Sequence, residues 1–132
     1  MKYILMMTAT QADCDWYAKW PKEVLQANFA FMRAFSKELK DSGVFVATEG
    51  LTFPDQAKIV RAGSDGTPIT DGVFPEAKEF LMGYWIVDVE SPDQAYSIAA
   101  KASQAPGPVH PNGKRLCIEV REIMGGPPEE FA

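Results

Sequence analysis

Residues 81–89 are apolar on both alternating faces, Leu81, Trp85, Val87 and Val89 on one and Met82, Tyr84 and Ile86 on the other. A strand with this pattern has no face suited to water, so it belongs in the middle of a sheet covered on both sides. Residues 2–8 repeat the pattern, with Tyr3, Leu5 and Met7 opposed to Ile4 and Met6. Any fold available to this chain must therefore cover two faces of one sheet.

The 132 residues make one domain, large enough to remove roughly two thirds of its unfolded surface from water. A composition with 46% hydrophobic and 23% charged residues fits a compact globular protein. The net charge of −5 is not offset by any Lys/Arg cluster, which argues against nucleic-acid binding. The apolar run at the start is only five residues long and is followed by Asp13 and Asp15, so it reads as a strand rather than a signal peptide. No segment reaches the roughly 20 apolar residues needed to span a bilayer, so no membrane partner is expected. Cys14 and Cys117 have neither the number nor the spacing of a disulfide or zinc framework. A cytoplasmic location with reduced thiols follows as the expectation.

Along the chain, residues 9–21 read as a connection carrying Trp16 and Trp20. Residues 22–41 form a long amphipathic helix with the stripe Leu25, Phe29, Met32, Phe35 and Leu39, ended by Gly43. Asn28 falls inside that stripe, a polar group on an apolar face. Residues 44–51 are the second strand. Residues 57–62 and 68–70 flank a turn that contains Asp65 and Gly66, the signature of an inserted hairpin. After the strand at 81–89, Ser91, Pro92 and Gln94 open a second helix with a capping box, which buries Ala95, Ile98, Ala99 and Ala102. A Pro/Gly-rich loop at 105–113 holds His110, residues 114–123 are the last strand, and residues 124–132 read as a tail outside the single domain of residues 1–123.

The expected architecture is α+β: a ferredoxin-like βαββαβ arrangement with an inserted β-hairpin. Both helices then lie on one face of the sheet. The apolar residues of the other face predict a homodimer in which two sheets pack together.

Several motifs in order, Glu49-Gly50-Leu51, Val60-Arg61, Thr70-Asp71-Gly72-Val73-Phe74, Glu76, Lys78-Glu79, Gly83-Tyr84 and Ile118-Glu119-Val120-Arg121, resemble the DGPF-motif branch of the YCII-related proteins. The resemblance covers about residues 1–123 and implies a ferredoxin-like fold dimerising into an α/β barrel. It implies little about chemistry, although some relatives carry a His/Asp pair in the cleft between helix and sheet. The long helix here has no histidine and offers Asn28, and Val73 stands where the motif has proline. Some relatives are associated with extracytoplasmic-function sigma factors, which implies a regulatory or interaction module as the alternative to a small-molecule protein.

Asp71 heads the candidate residues. Its carboxylate either caps a turn in which Gly72 takes positive φ or, with a raised pKa, serves as the acid/base. Asn28, Glu49, Arg61, Lys78, Tyr84 and His110 are the candidate ligand-binding positions. Glu49 and Arg61 sit near strand ends and suit either an ion pair or an anchor for a carboxylate. Lys78 with Glu76 and Glu79 forms either a polar ligand site or a solvated turn. Glu119 and Arg121 share a strand face and suit cross-strand pairing. His110 stands without the companions a metal site needs, and no nucleotide or serine-hydrolase motif is present. No metal or cofactor is therefore expected.

Overall fold

The computed structural model describes residues 1–72, 79–108, 110, 111, 113 and 115–125. Its order is β1 (Lys2–Ala9), α1 (Gln11–Ala18), α2 (Lys22–Asp41), β2 (Phe45–Gly50), β3 (Lys58–Ala62), β4 (Pro68–Gly72), β5 (Phe80–Asp88), α3 (Pro92–Ala102) and β6 (Ile118–Glu122). The main sheet runs β2-β5-β1-β6 and every neighbouring pair is antiparallel. Thus β1 and β2 flank β5 while β5 and β6 flank β1, which gives two interlocked split βαβ units. The protein is α+β, as the sequence predicts.

Register decides which side chains meet the helices. Tyr3 pairs with Val87, Leu5 with Trp85 and Met7 with Gly83, so these residues share one face. That face packs on α2 and α3 through Phe35, Leu39, Ala95, Ala99 and Ala102. The three alanines let α3 approach the sheet closely, as its small-residue stripe predicts. Gly83 is buried so closely that a Cβ there would lie 3.0 Å from the Glu49 carbonyl and 3.1 Å from the Met7 terminal methyl. On the reverse face lie Ile4, Met6, Tyr84 and Ile86, all half-buried and none part of that core. Glu119 and Arg121 border it, paired with Met6 and Ile4.

The long helix has the expected bounds, and Gly43 leaves it at φ 79°. Its apolar stripe divides between two tasks. Phe35 and Leu39 enter the core, whereas Phe29, 46% exposed, and Met32 line a cleft. The capping of α3 also differs in one detail from the expected box: Ser91 accepts the Gln94 N–H, but the Gln94 side chain accepts from Glu90 rather than from Ser91.

Three expectations are corrected. The connection at 9–21 contains α1, started by a reciprocal cap in which Thr10 Oγ1 accepts the Asp13 N–H and Asp13 Oδ2 accepts the Thr10 N–H. Periodicity misses this helix because only Cys14 in it is buried. The last strand begins at Ile118 rather than 114: Arg115, Leu116 and Cys117 run outside the sheet, and the Ser103 hydroxyl donates to the Leu116 carbonyl. Asp71 and Gly72 close β4 opposite Ile59 and Lys58, and Gly72 has no positive φ. The hairpin turn is as expected, with Gly66 at φ 84° and Asp65 accepting from both Thr67 N–H and Thr67 Oγ1.

Candidate functional site

A cleft of about 1330 Å³ opens between α1, α2, the ends of β1 and β2 with the adjoining part of β5, and the loop after α3. One wall is aromatic, because α1 and the two residues after it hold Trp16, Tyr17 and Trp20 together. Trp16 meets Trp20 edge-on at 5.0 Å between ring centroids, Tyr17 lies 4.8 Å from Trp20, and Phe53 adds an edge contact to Tyr17. Burial pushes the Tyr17 phenol up, so it stays neutral. A smaller depression of about 460 Å³ by the Pro54–Gln56 3-10 turn has Glu79 as its single ionisable lining residue among those described.

The loop after α3 is tied across this cleft at two points and closed on itself by a third contact. Asn28 Nδ2 donates to the Pro106 carbonyl at 2.9 Å, so the polar residue in the apolar stripe serves a backbone group. The ring of Trp20 covers Gly107, where a Cβ would stand 2.4 Å from ring carbon Cη2. The Gly113 N–H donates to the His110 carbonyl at 2.8 Å, with Gly113 at φ 72° closing the turn. Replacing Gly107 by alanine is expected to force Trp20 aside. Overpacking of this kind costs about 1–3 kcal/mol, so the melting temperature should fall by several degrees together with a change in tryptophan emission; an unchanged melt and spectrum would show that the ring is not held there.

These ties bring His110 to Asp13. The imidazole Nε2 lies 2.7 Å from Asp13 Oδ1, with the side chains 25% and 34% exposed at the cleft. Trp16 packs edge-on against the imidazole at 4.7 Å. Burial works against the Asp13 charge, but the Thr10 N–H, His110 and the Thr10 hydroxyl outweigh it and hold the carboxyl below its ordinary range. Because the folded-state pKa is depressed, the stability this carboxylate contributes is present above its unfolded value and is lost as pH falls through the folded one. The melting-temperature gap between wild type and Asp13→Asn should accordingly narrow as the pH falls below about 4. A gap unaltered by acid would contradict the pairing.

Of the sequence candidates, Asn28 and His110 line the cleft from the helix and loop side, while Glu49 and Tyr84 reach its lining at the sheet edge but pair with each other on the reverse face of the sheet. Asp71 and Arg61 do not; both are exposed on the separate two-stranded sheet, opposite Ile59 and Ile69. Lys78 and Glu76 lie outside the described residues. Asp13 was not among the candidates, although the Thr10 to Asp13 spacing is itself a helix-start signal. Its partner is 97 residues away in sequence. Cys14 is buried beside it and its thiol donates to Met82 Sδ at 3.8 Å; burial, Asp13 and Asp15 raise its pKa, which keeps it a thiol and a poor nucleophile. Among the described residues no group of three or more His, Cys, Asp or Glu side chains could hold a metal ion.

The family model for the YCII-related domain matches residues 1–125. The chain belongs to the YCII-related family. This YCII-related protein is also 28% identical over 86 residues, 65% of its own length and 69% of the other's, to an uncharacterized protein of Rhizobium meliloti (strain 1021). In this YCII-related chain the histidine–aspartate contact at the cleft is that of His110 with Asp13. It comes from α1 and the loop after α3 rather than from the long helix. No helix among the described residues is long and apolar enough to cross a membrane.

Proposed function

We propose that the cleft binds a small organic molecule and that Asp13 and His110 act on it as an acid/base pair. The observation that carries this reading is the 2.7 Å contact between an ionised carboxylate and the imidazole at the surface of a large, aromatic-walled cleft. A carboxylate in this position orients the ring and stabilises the imidazolium formed when the ring accepts a proton. His110 exchanges the proton with substrate, and Asp13 positions it. The acid/base role that the sequence assigns to Asp71 thus passes to a residue inside the cleft. Asn28 supports the pair indirectly, through the loop it tethers.

We also propose that the chain is a homodimer joined through the sheet face bearing Ile4, Met6, Tyr84 and Ile86, closing into an α/β barrel. Support comes from four half-exposed apolar side chains side by side on the face turned away from α2 and α3. Contiguous apolar surface of this kind favours association. The two free cysteines fit a reducing, cytoplasmic setting.

The test is a conversion panel of enolisable ketones, lactones, halophenols and aromatic acids in deuterated buffer, read by NMR for deuterium uptake or product. Conversion by wild type that His110→Gln loses would support the acid/base pair. Conversion retained by that variant would refute it, and a panel with no conversion at all would leave the cleft a binding site and remove the catalytic part of the reading.

A further inference from the structure

The hairpin of β3 and β4 stands apart from the core. It forms a sheet of its own, and all ten of its strand positions are exposed. A two-stranded hairpin is marginally stable in water by itself and gains stability when one of its faces is covered. Its side chains are those of a covered strand, with Ile59 48% exposed, Val60 59% and Ile69 36%.

Register gives one face of the hairpin a definite pattern. Ile59 pairs with Asp71 and Arg61 with Ile69, so these four side chains share a face and mark its corners. The isoleucines occupy one diagonal, Arg61 and Asp71 the other. Neither Arg61 nor Asp71 forms an ion pair among the described residues. A two-fold axis along the isoleucine diagonal matches this pattern to itself: isoleucine lies on isoleucine, and each Arg61 meets Asp71 of the partner subunit. An axis along the other diagonal opposes like charges, and an axis along or across the strands sets each charge on an isoleucine. The face is therefore self-complementary in one arrangement, with the strands crossing at close to a right angle as in orthogonal sheet packing.

Surface area also calls for a second patch. The four half-buried apolar side chains of the sheet face at Ile4, Met6, Tyr84 and Ile86 expose on the order of 200 Å² together, against roughly 800 Å² that each partner of a stable complex buries. The hairpin adds exposed apolar surface from Ile59 and Ile69. It also springs from the rim of the cleft, which Leu51 and Phe53 line before it and Glu79 after it.

We infer that β3 and β4 form a clasp for a second copy of this chain, closed by Ile59 and Ile69 of both copies and held in register by Arg61 of each against Asp71 of the partner subunit. The clasp goes beyond the sheet-face dimer proposed above by adding a second, separately testable contact. Clasping fixes the rim of the cleft from which the hairpin springs.

The test is charge complementation between chains, read by sedimentation across micromolar concentrations. Arg61→Asp leaves only acids at the charged corners and Asp71→Arg only bases, so each variant alone opposes like charges across the two-fold axis. Each is expected to weaken self-association at least about tenfold, and a one-to-one mixture of the two should restore a dimer close to wild-type affinity. A charge pair within one chain is not rebuilt by mixing. Unchanged self-association of the single variants, a mixture no tighter than its components, or a wild type that stays monomeric would each overturn the clasp; the first would leave the face to some other occupant. Ile4→Glu keeps the two contacts distinguishable. A dimer that survives Ile4→Glu but not Arg61→Asp upholds the clasp without the sheet face, and the reverse outcome upholds the sheet face and removes the clasp.

Discussion

His110→Gln is expected to lower the turnover of any converted compound by about 10²–10⁴-fold, the range by which a positioned acid/base accelerates proton transfer. Glutamine retains hydrogen-bonding capacity and similar bulk but cannot take a proton near neutral pH. Asp13→Asn should also reduce turnover strongly while allowing the fold to persist, since an asparagine can still cap α1 at Thr10. What it removes is the anion that orients the imidazole. Asp71→Asn serves as the comparison. Because Asp71 is exposed on β4 and absent from the cleft lining, its replacement should leave the rate within a factor of two. A loss with Asp71→Asn equal to that with His110→Gln would return the chemistry to the hairpin and contradict the assignment.

Two neighbouring residues in β1 are expected to fail in different ways when changed. Leu5 is fully buried between the sheet and its helices, so Leu5→Ala should cost about 2–5 kcal/mol through lost burial and the cavity left behind. That is a large share of the roughly 5–15 kcal/mol by which a domain is stable. Ile4 points to the opposite face. Ile4→Glu would place a carboxylate across from Arg121 on β6, where it gains a cross-strand partner in a single chain. Its cost appears on association, where a charge would be buried between two apolar sheets. Equilibrium unfolding should therefore show the large loss for Leu5→Ala, and sedimentation should show Ile4→Glu as a monomer at concentrations where wild type is a dimer. Wild type sedimenting as a monomer at micromolar concentration would end the dimer proposal.

The parts of this fold legible in the sequence are those with strong periodicity. The two-sided strands β1 and β5, the bounds of α2, the alanine face of α3 and the turn at Gly66 all follow from spacing and turn chemistry. The site was legible only in pieces. Asn28 is conspicuous as a polar residue in an apolar stripe, and His110 as the only histidine. Their purposes depend on a loop whose contacts are long-range: Asn28 reaches Pro106 and His110 reaches Asp13, 78 and 97 residues apart. Local pattern carries no information about such distances. α1 was hidden for a different reason, since a two-turn helix that buries one cysteine and turns its aromatics toward a cleft lacks the stripe from which helices are read. The weight the sequence places on Asp71 comes from turn chemistry, and the hairpin continues as a strand through that position.

His110 being the sole histidine allows the central claim to be tested without a substitution. Diethyl pyrocarbonate should modify one imidazole per chain, measured by absorbance, while turnover of a compound from the conversion panel is followed in the same sample. The account predicts that activity falls in proportion to imidazole modified, reaches zero at one per chain and returns with hydroxylamine. Full activity in protein whose imidazole is completely modified would contradict it.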